Sequence, residues 1–196
     1  LLERAVRIRA QLGPQSQLAF PDGTRLSLDA SKAQIQIHQS GPWLESIVIG
    51  PALLMLLAEL NKFCLHASAF ASPRGTWLVL ASSGTGKSTL ARIAMGMGWT
   101  RLADDLCVIG VEASGEATLY AHFPQPKLST HEQYPEAAPA QLPIAGIAVL
   151  TRGAAGQAVR VQGVAALHAL IAHSVATRLL TCEQLGRHLQ VCGALA

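Results

Sequence analysis

Ala81-Ser-Ser-Gly-Thr-Gly-Lys-Ser88 decides how this chain is read. Four apolar or aromatic residues, Trp77-Leu-Val-Leu80, precede it, and an apolar-periodic run through Leu90, Ile93, Ala94 and Met97 follows it. That order predicts strand, glycine loop and helix, the context a phosphate-binding loop requires. Gly84 and Gly86 let the backbone curl so that successive N–H groups face one anion. The helix behind them adds free N–H groups and the positive end of its dipole. Ser82, Ser83, Gly84, Thr85, Gly86, Lys87, Ser88 and Thr89 therefore read as the cradle for nucleotide phosphates. Lys87 brings a point charge to the outer phosphates, and the Ser88 hydroxyl can join a magnesium shell. Ala81 stands where the pattern G-x-x-x-x-G-K-[ST] has its first glycine.

Half of the 196 residues are hydrophobic, so one domain of ordinary size with a small appendage can bury a sizeable core. A net charge of +3 is too small to point to nucleic acid or an anionic membrane. No run approaches the roughly 20 apolar residues that span a bilayer, and the opening Leu-Leu-Glu-Arg-Ala-Val-Arg has no signal-peptide plan. Cys64, Cys107, Cys182 and Cys192 show no C-x-x-C spacing and read as reduced thiols of a cytoplasmic protein.

Upstream of the loop, residues 1–12 predict a short amphipathic helix. Leu18 to Ile49 has the texture of a half-buried antiparallel meander: Leu26 and Leu28 alternate with polar neighbours, as do Ile35 and Ile37, and Pro21-Asp-Gly23 marks a turn. Ser46 to Ile49 reads as one more strand. Pro51 then opens a helix, Ala52 to Asn61, apolar nearly all round and so predicted to be buried. Leu65 to Phe70 reads as a strand, and Ser72-Pro-Arg-Gly75 turns it back into the strand that feeds the phosphate loop. An antiparallel hairpin there departs from a plain Rossmann-type fold, which needs a crossover helix at that point.

Downstream, Gly96 and Gly98 end the loop helix. Leu106 to Val111 and Thr118 to Ala121 read as paired strands, and Pro-rich 122–143 as a long connection suited to bind an acceptor. Ile144 to Leu150 and Ala158 to Val161 read as strands around a loop, and two helices follow, near 163–175 and 179–192.

A phosphate loop alone specifies a nucleotide and no reaction. Asp104 and Asp105 add to it, sixteen residues past Ser88 and one helix later. Side chains of neighbours on an extended segment point to opposite sides, so the two carboxylates are expected to do different jobs, one at a metal and one at a hydroxyl acceptor. Two carboxylates beside a triphosphate repel it unless magnesium is present.

Leu65-His-Ala-Ser-Ala69, Ser83-Gly-Thr-Gly-Lys-Ser-Thr89 and Leu102-Ala-Asp-Asp105, in that order, resemble the catalytic domain of HPr kinase/phosphorylase and the HPr-kinase-like proteins. They are similar also to the His-x-Ser, P-loop and Asp-Asp segments of phosphoenolpyruvate carboxykinase. The resemblance is good over about 63–112 and weak beyond. It implies an α/β P-loop domain of the HPr kinase/carboxykinase type over residues 51–196, with a mixed sheet, and a small N-terminal β cap over 1–50. It implies that His66 lies beside the phosphates and that Lys87 and Ser88 serve phosphate and metal. Asp104 would take the acceptor proton and Asp105 would sit near the magnesium. The cap looks like that of relatives in peptide-biosynthesis clusters, some of which phosphorylate a serine at the tail of a lasso peptide. The expected activity is transfer from ATP to a serine hydroxyl of a peptide or small protein. No nucleic-acid or membrane partner is expected, and homo-oligomerisation stays open. Kinase is favoured over phosphorylase, because only Thr151-Arg-Gly153 could stand in for the family's arginine-glycine loop. A kinase of free serine and a non-catalytic nucleotide-binding regulatory module remain the rivals; a carboxykinase needs a longer chain.

Overall fold

A computed structural model describes residues 9–11, 15–123, 139–153 and 158–196. Two compact units emerge. One takes the described residues through Asn61 together with Arg178–Gln184; the other takes Lys62–Thr177 with Leu185–Ala196.

In the first unit four strands, β1 (Arg9–Gln11), β2 (Gln15–Ala19), β3 (Arg25–Asp29) and β4 (Gln34–Gln39), form an antiparallel sheet in sequence order. The Pro21-Asp-Gly23 turn closes with Gly23 N–H donating to Phe20 O at 3.1 Å. Arg9–Gln11 is extended, so the helix expected over 1–12 is absent there; the rest of that span lies outside the described residues, apart from the strand's own three. Ser46 to Ile49 is helical, not a strand. Helix α1 (Leu44–Ile47) runs through a wide turn (Val48–Ala52) into α2 (Leu53–Glu59). The reason is the 3.6-residue period: Leu44, Ile47, Val48 and Ala52 share the face that packs with Leu18, Leu26 and Leu28. The path kinks at Gly50 (φ −95°, ψ −110°), so Pro51 falls just past the kink. Met55, Leu56 and Ala58 are the buried residues of α2.

The second unit holds a seven-stranded mixed sheet. Its strands are β5 (Phe63–Leu65), β6 (Ala67–Ser72), β7 (Gly75–Ala81), β8 (Thr100–Asp104), β9 (Cys107–Val111), β10 (Ala117–Tyr120) and β11 (Gln141–Leu150), in the order β5-β9-β10-β11-β7-β6-β8. Only β11 and β7 run parallel; every other pair is antiparallel. The expected β6–β7 hairpin is present, Ser72 pairing with Gly75. The expected single strand 65–70 is broken at His66, where the chain changes partners from β9 to β7 and β8. Helix α3 (Lys87–Gly96) packs Ala91 and Ala94 on Phe70 and Val79. Ile93 and Met97 are exposed instead, because these two small residues let the helix lie close to the sheet and rotate the buried stripe toward them. Ala158–Val161 forms no strand. The chain ends in α4 (Val164–Ala172), a short 3-10 turn at Thr177–Leu179, and α5 (Cys182–Leu195). Most of the Pro-rich 122–143 connection and all of Lys127 lie outside the described residues. Among the described residues no helix is long and apolar enough to cross a membrane.

Gly146 sits opposite Trp77 where the β7–β11 register shifts. A Cβ there would meet the indole ring, with Cη2 at 2.8 Å and Cε3 at 2.9 Å. Gly146→Ala must therefore displace a half-buried ring and should destabilise the protein by about 1–3 kcal/mol, the usual range for overpacking. The urea midpoint measures this; an unchanged midpoint would show that the ring moves aside without penalty.

Candidate active site

Every sequence-predicted site residue belongs to the second unit. The loop Ser82–Gly86 leaves the end of β7 and enters α3 at Lys87. Gly84 (φ +75°) and Gly86 (φ +103°) adopt left-handed conformations that a side chain disfavours. Thr85 ties the turn by donating its N–H and Oγ1–H to Ser82 O, at 3.3 and 2.6 Å. Nothing lies within 4 Å of where a Cβ on Gly86 would stand. Ala81 is fully buried strand paired with Leu150, and its φ is not left-handed, which explains how a residue other than glycine is tolerated. Ser82, Ser83, Gly84 and Thr89 are exposed; Thr85, Gly86 and Lys87 are half-buried; the Ser88 side chain lies outside the described atoms.

Lys87, His66 and Asp105 form one chain of contacts. Lys87 Nζ lies 2.9 Å from His66 Nε2, and His66 Nδ1 lies 3.2 Å from Asp105 Oδ1. An ammonium has no lone pair, so the Lys87 bond requires Nε2 to accept and Nδ1 to carry the proton toward the carboxylate. His66 can do this because it sits in the one-residue link between β5 and β6. Its own N–H donates to His173 O at 2.7 Å. Asp105 follows β8 with φ +85°, a left-handed conformation costing roughly 1–3 kcal/mol.

Asp104 ends β8 and has different partners. Ser68, fully buried on β6, donates Oγ–H to Asp104 Oδ1 at 2.6 Å. Arg101 Nη1 stands 3.5 Å from Asp104 Oδ2. Asp104 thus contacts Ser68 and Arg101 while Asp105 contacts His66; the left-handed Asp105 departs from the simple extension on which the expected alternation rested.

Three contributors were given no role from the sequence. Ser68 is one, although it stands in the His-x-Ser stretch that carries the resemblance. Arg101 is the second. The third is the turn after α4: Ser174 bridges Leu65, and Val175 N–H donates to Cys64 O at 2.9 Å. Ser174 Oγ in turn lies 2.7 Å from Nε2 of the buried His188. Burial, and then the charges of His66 and Lys87, push the His173 imidazole below its ordinary range. No sequence pattern announced that turn. Arg152 donates from Nη2 to Gly84 O at 2.8 Å, so its guanidinium lies on the glycine loop. His168 is exposed.

All four cysteines are free thiols; Cys64, Cys107 and Cys192 are buried, and burial pushes Cys64 up to about 12. Among the described residues no three His, Cys, Asp or Glu side chains converge on a metal position. Asp105 offers a hard carboxylate oxygen beside the loop, which suits a magnesium ion that takes its other ligands from phosphates and water. The chain matches no protein-family model, and no curated protein matches it.

Proposed function

We propose that this chain is an ATP-dependent kinase of the P-loop, HPr-kinase-like type. It would transfer the γ-phosphoryl group to a serine hydroxyl of a peptide or small protein, an HPr-like carrier or a lasso-peptide precursor tail, in the cytoplasm. The observation that carries this reading is the contact between Lys87 Nζ and His66 Nε2 at 2.9 Å. It brings the lysine of an anion loop against a histidine backed by Asp105, with Asp104 the next residue along. A module that only held a magnesium nucleotide would use one carboxylate at the metal, and a second beside it would add repulsion without a task. A phosphoryl transferase needs them, one toward a metal and one toward the acceptor.

The residues divide the work as follows. Loop N–H groups and the start of α3 hold the phosphates, and Lys87 exchanges His66 for a phosphate oxygen. Arg152 holds the loop through Gly84 O and brings a second positive charge to its rim. Asp104 receives the acceptor proton. Asp105, with Ser88 by its motif, holds magnesium, which neutralises phosphate charge when bound. Positioning and charge neutralisation supply most of the rate.

Lys87→Ala should abolish measurable MgATP binding while circular dichroism stays native, because the side chain is half-buried at the first position of α3 and is assigned to phosphate. Calorimetric titration tests this, and wild-type affinity in the variant would remove the basis for the assignment.

The paired carboxylates should fail differently. Asp104→Asn keeps shape but cannot take a proton; it should retain MgATP affinity and lose turnover by about a hundredfold or more. Asp105→Asn should raise the magnesium concentration required, with part of the activity returning at high magnesium. Magnesium titrations of both variants decide it: superimposable profiles would show that the pair acts as one group.

A further inference from the structure

Ser68 has no role in the phosphate loop, yet it is among the most completely buried polar residues of the chain. Its neighbours on β6, Ala67 and Ala69, are fully buried alanines. A buried hydroxyl must find a hydrogen-bond partner or lose stability. This one donates to Asp104 Oδ1 at 2.6 Å, across a pair of residues that stand opposite each other in the β6–β8 ladder.

The backbone adds a second constraint on the same carboxylate. Ala69 pairs with Ala103 but Phe70 pairs with Arg101, so Leu102 is an extra residue in β8. In a regular strand residues three apart point to opposite faces. The bulge corrects the phase and brings Arg101 round to Asp104, Nη1 to Oδ2 at 3.5 Å. The last torsion of an aspartate is broad and two-fold, so an unanchored carboxylate samples many orientations. Ser68 and Arg101 hold one oxygen each and define its plane.

We propose that Ser68 is a positioning residue for Asp104: its hydroxyl holds Oδ1 and, with Arg101 beside Oδ2, fixes the carboxylate plane so that the second lone pair of Oδ2 is presented to the acceptor hydroxyl. This deepens the kinase reading and rests on it. In the transfer the acceptor O–H bond breaks and its proton passes to Asp104 Oδ2. The new O–P bond forms as the bond from the γ-phosphorus to the bridging oxygen breaks, and ADP leaves with that electron pair. Ser68 touches none of the reacting atoms.

The test is MgATP hydrolysis, with water standing for the acceptor hydroxyl, measured under single turnover together with MgATP affinity by calorimetry. Ser68→Ala is made in the wild-type chain and in the Asp104→Asn chain. In the wild-type background it should lower the rate constant between about ten- and a hundredfold and leave MgATP affinity unchanged. In the Asp104→Asn background it should lower the rate less than about twofold, since the group it positions no longer takes a proton. Equal losses in both backgrounds would mean that Ser68 is structural, and no loss in either would mean that Asp104 needs no anchor; each overturns the proposal while leaving the kinase reading intact. A wild-type chain that neither binds nor hydrolyses MgATP overturns the reading and the proposal together. If Ser68→Ala does not fold, Ser68→Cys, which keeps the volume but weakens the donor, takes its place in both backgrounds with a smaller loss of the same pattern.

Discussion

The link between β5 and β6 is a single residue, yet four strands stand between them in the sheet. Laid flat, strands so placed would be about 24 Å apart, five spacings of about 4.8 Å. Leu65 and Ala67 can be no more than about 7 Å apart along the chain. The sheet must therefore roll until its two ends meet. The link from β8 to β9 imposes the same closure, since it too bypasses four strands with only Asp105 and Leu106. Cys107 Sγ, which lies 3.4 Å from Ala67 O, sits on the seam so formed. His66 occupies one of the two links and Asp105 the other, so their contact is a consequence of topology. The hairpin partner β7 ends in the phosphate loop beside them, and the site follows from the closure.

The seam carries irregular backbone of its own. Asp105 is left-handed, and the His66 N–H, which no strand pairs, is satisfied by His173 O from the turn after α4. Ala176, in the same turn, is left-handed as well. Such strain persists where surrounding contacts over-determine it, and here the two short links, Ser174 on His188 and the Leu65–Ser174 bridge supply those contacts. The ion contacts themselves add little stability. The His66 and Asp105 side chains are 37% and 27% exposed, so solvent screens their attraction to well under the value of a buried pair. Their worth is directional: they set the imidazole tautomer and hold Lys87.

What the sequence made legible was local chemistry. The glycine loop followed from residue type and spacing, and the β6–β7 hairpin from Ser72-Pro-Arg-Gly75 between two apolar runs. The structure joins three of the candidate residues, His66, Lys87 and Asp105, in one chain of contacts. What was not legible depends on tertiary closure. Ser46 to Ile49 resembles a strand until Leu44 and Ala52 show that a sheet face needs a helical stripe over it. Val159 and Val161 alternate with polar residues, but no strand forms there and both remain exposed. The break at His66 has no local signal, because Leu65-His-Ala-Ser reads as continuous β texture. The bulge at Leu102 is equally silent, since it is specified by the register with β6 and not by any glycine in β8.

The two carboxylates differ in how firmly they are built in. Asp104 is held by Ser68 and Arg101, side chains on strands whose positions the ladder specifies on both edges of β6. Asp105 is held through His66 by Lys87, a flexible four-carbon stem at the start of a helix. On the kinase reading proposed above, an incoming phosphate would compete for the ammonium, and when Lys87 leaves, Nε2 of His66 would be released while its Nδ1 contact to Asp105 need not change. The strand-anchored carboxylate would have no such exchange to make. A site of that kind, admitting a charged nucleotide while holding a small hydroxyl in line, would benefit from the asymmetry. The lysine side would adjust and the Asp104 side stay fixed to the sheet, so charge could be rearranged on binding without moving the carboxylate assigned to the proton.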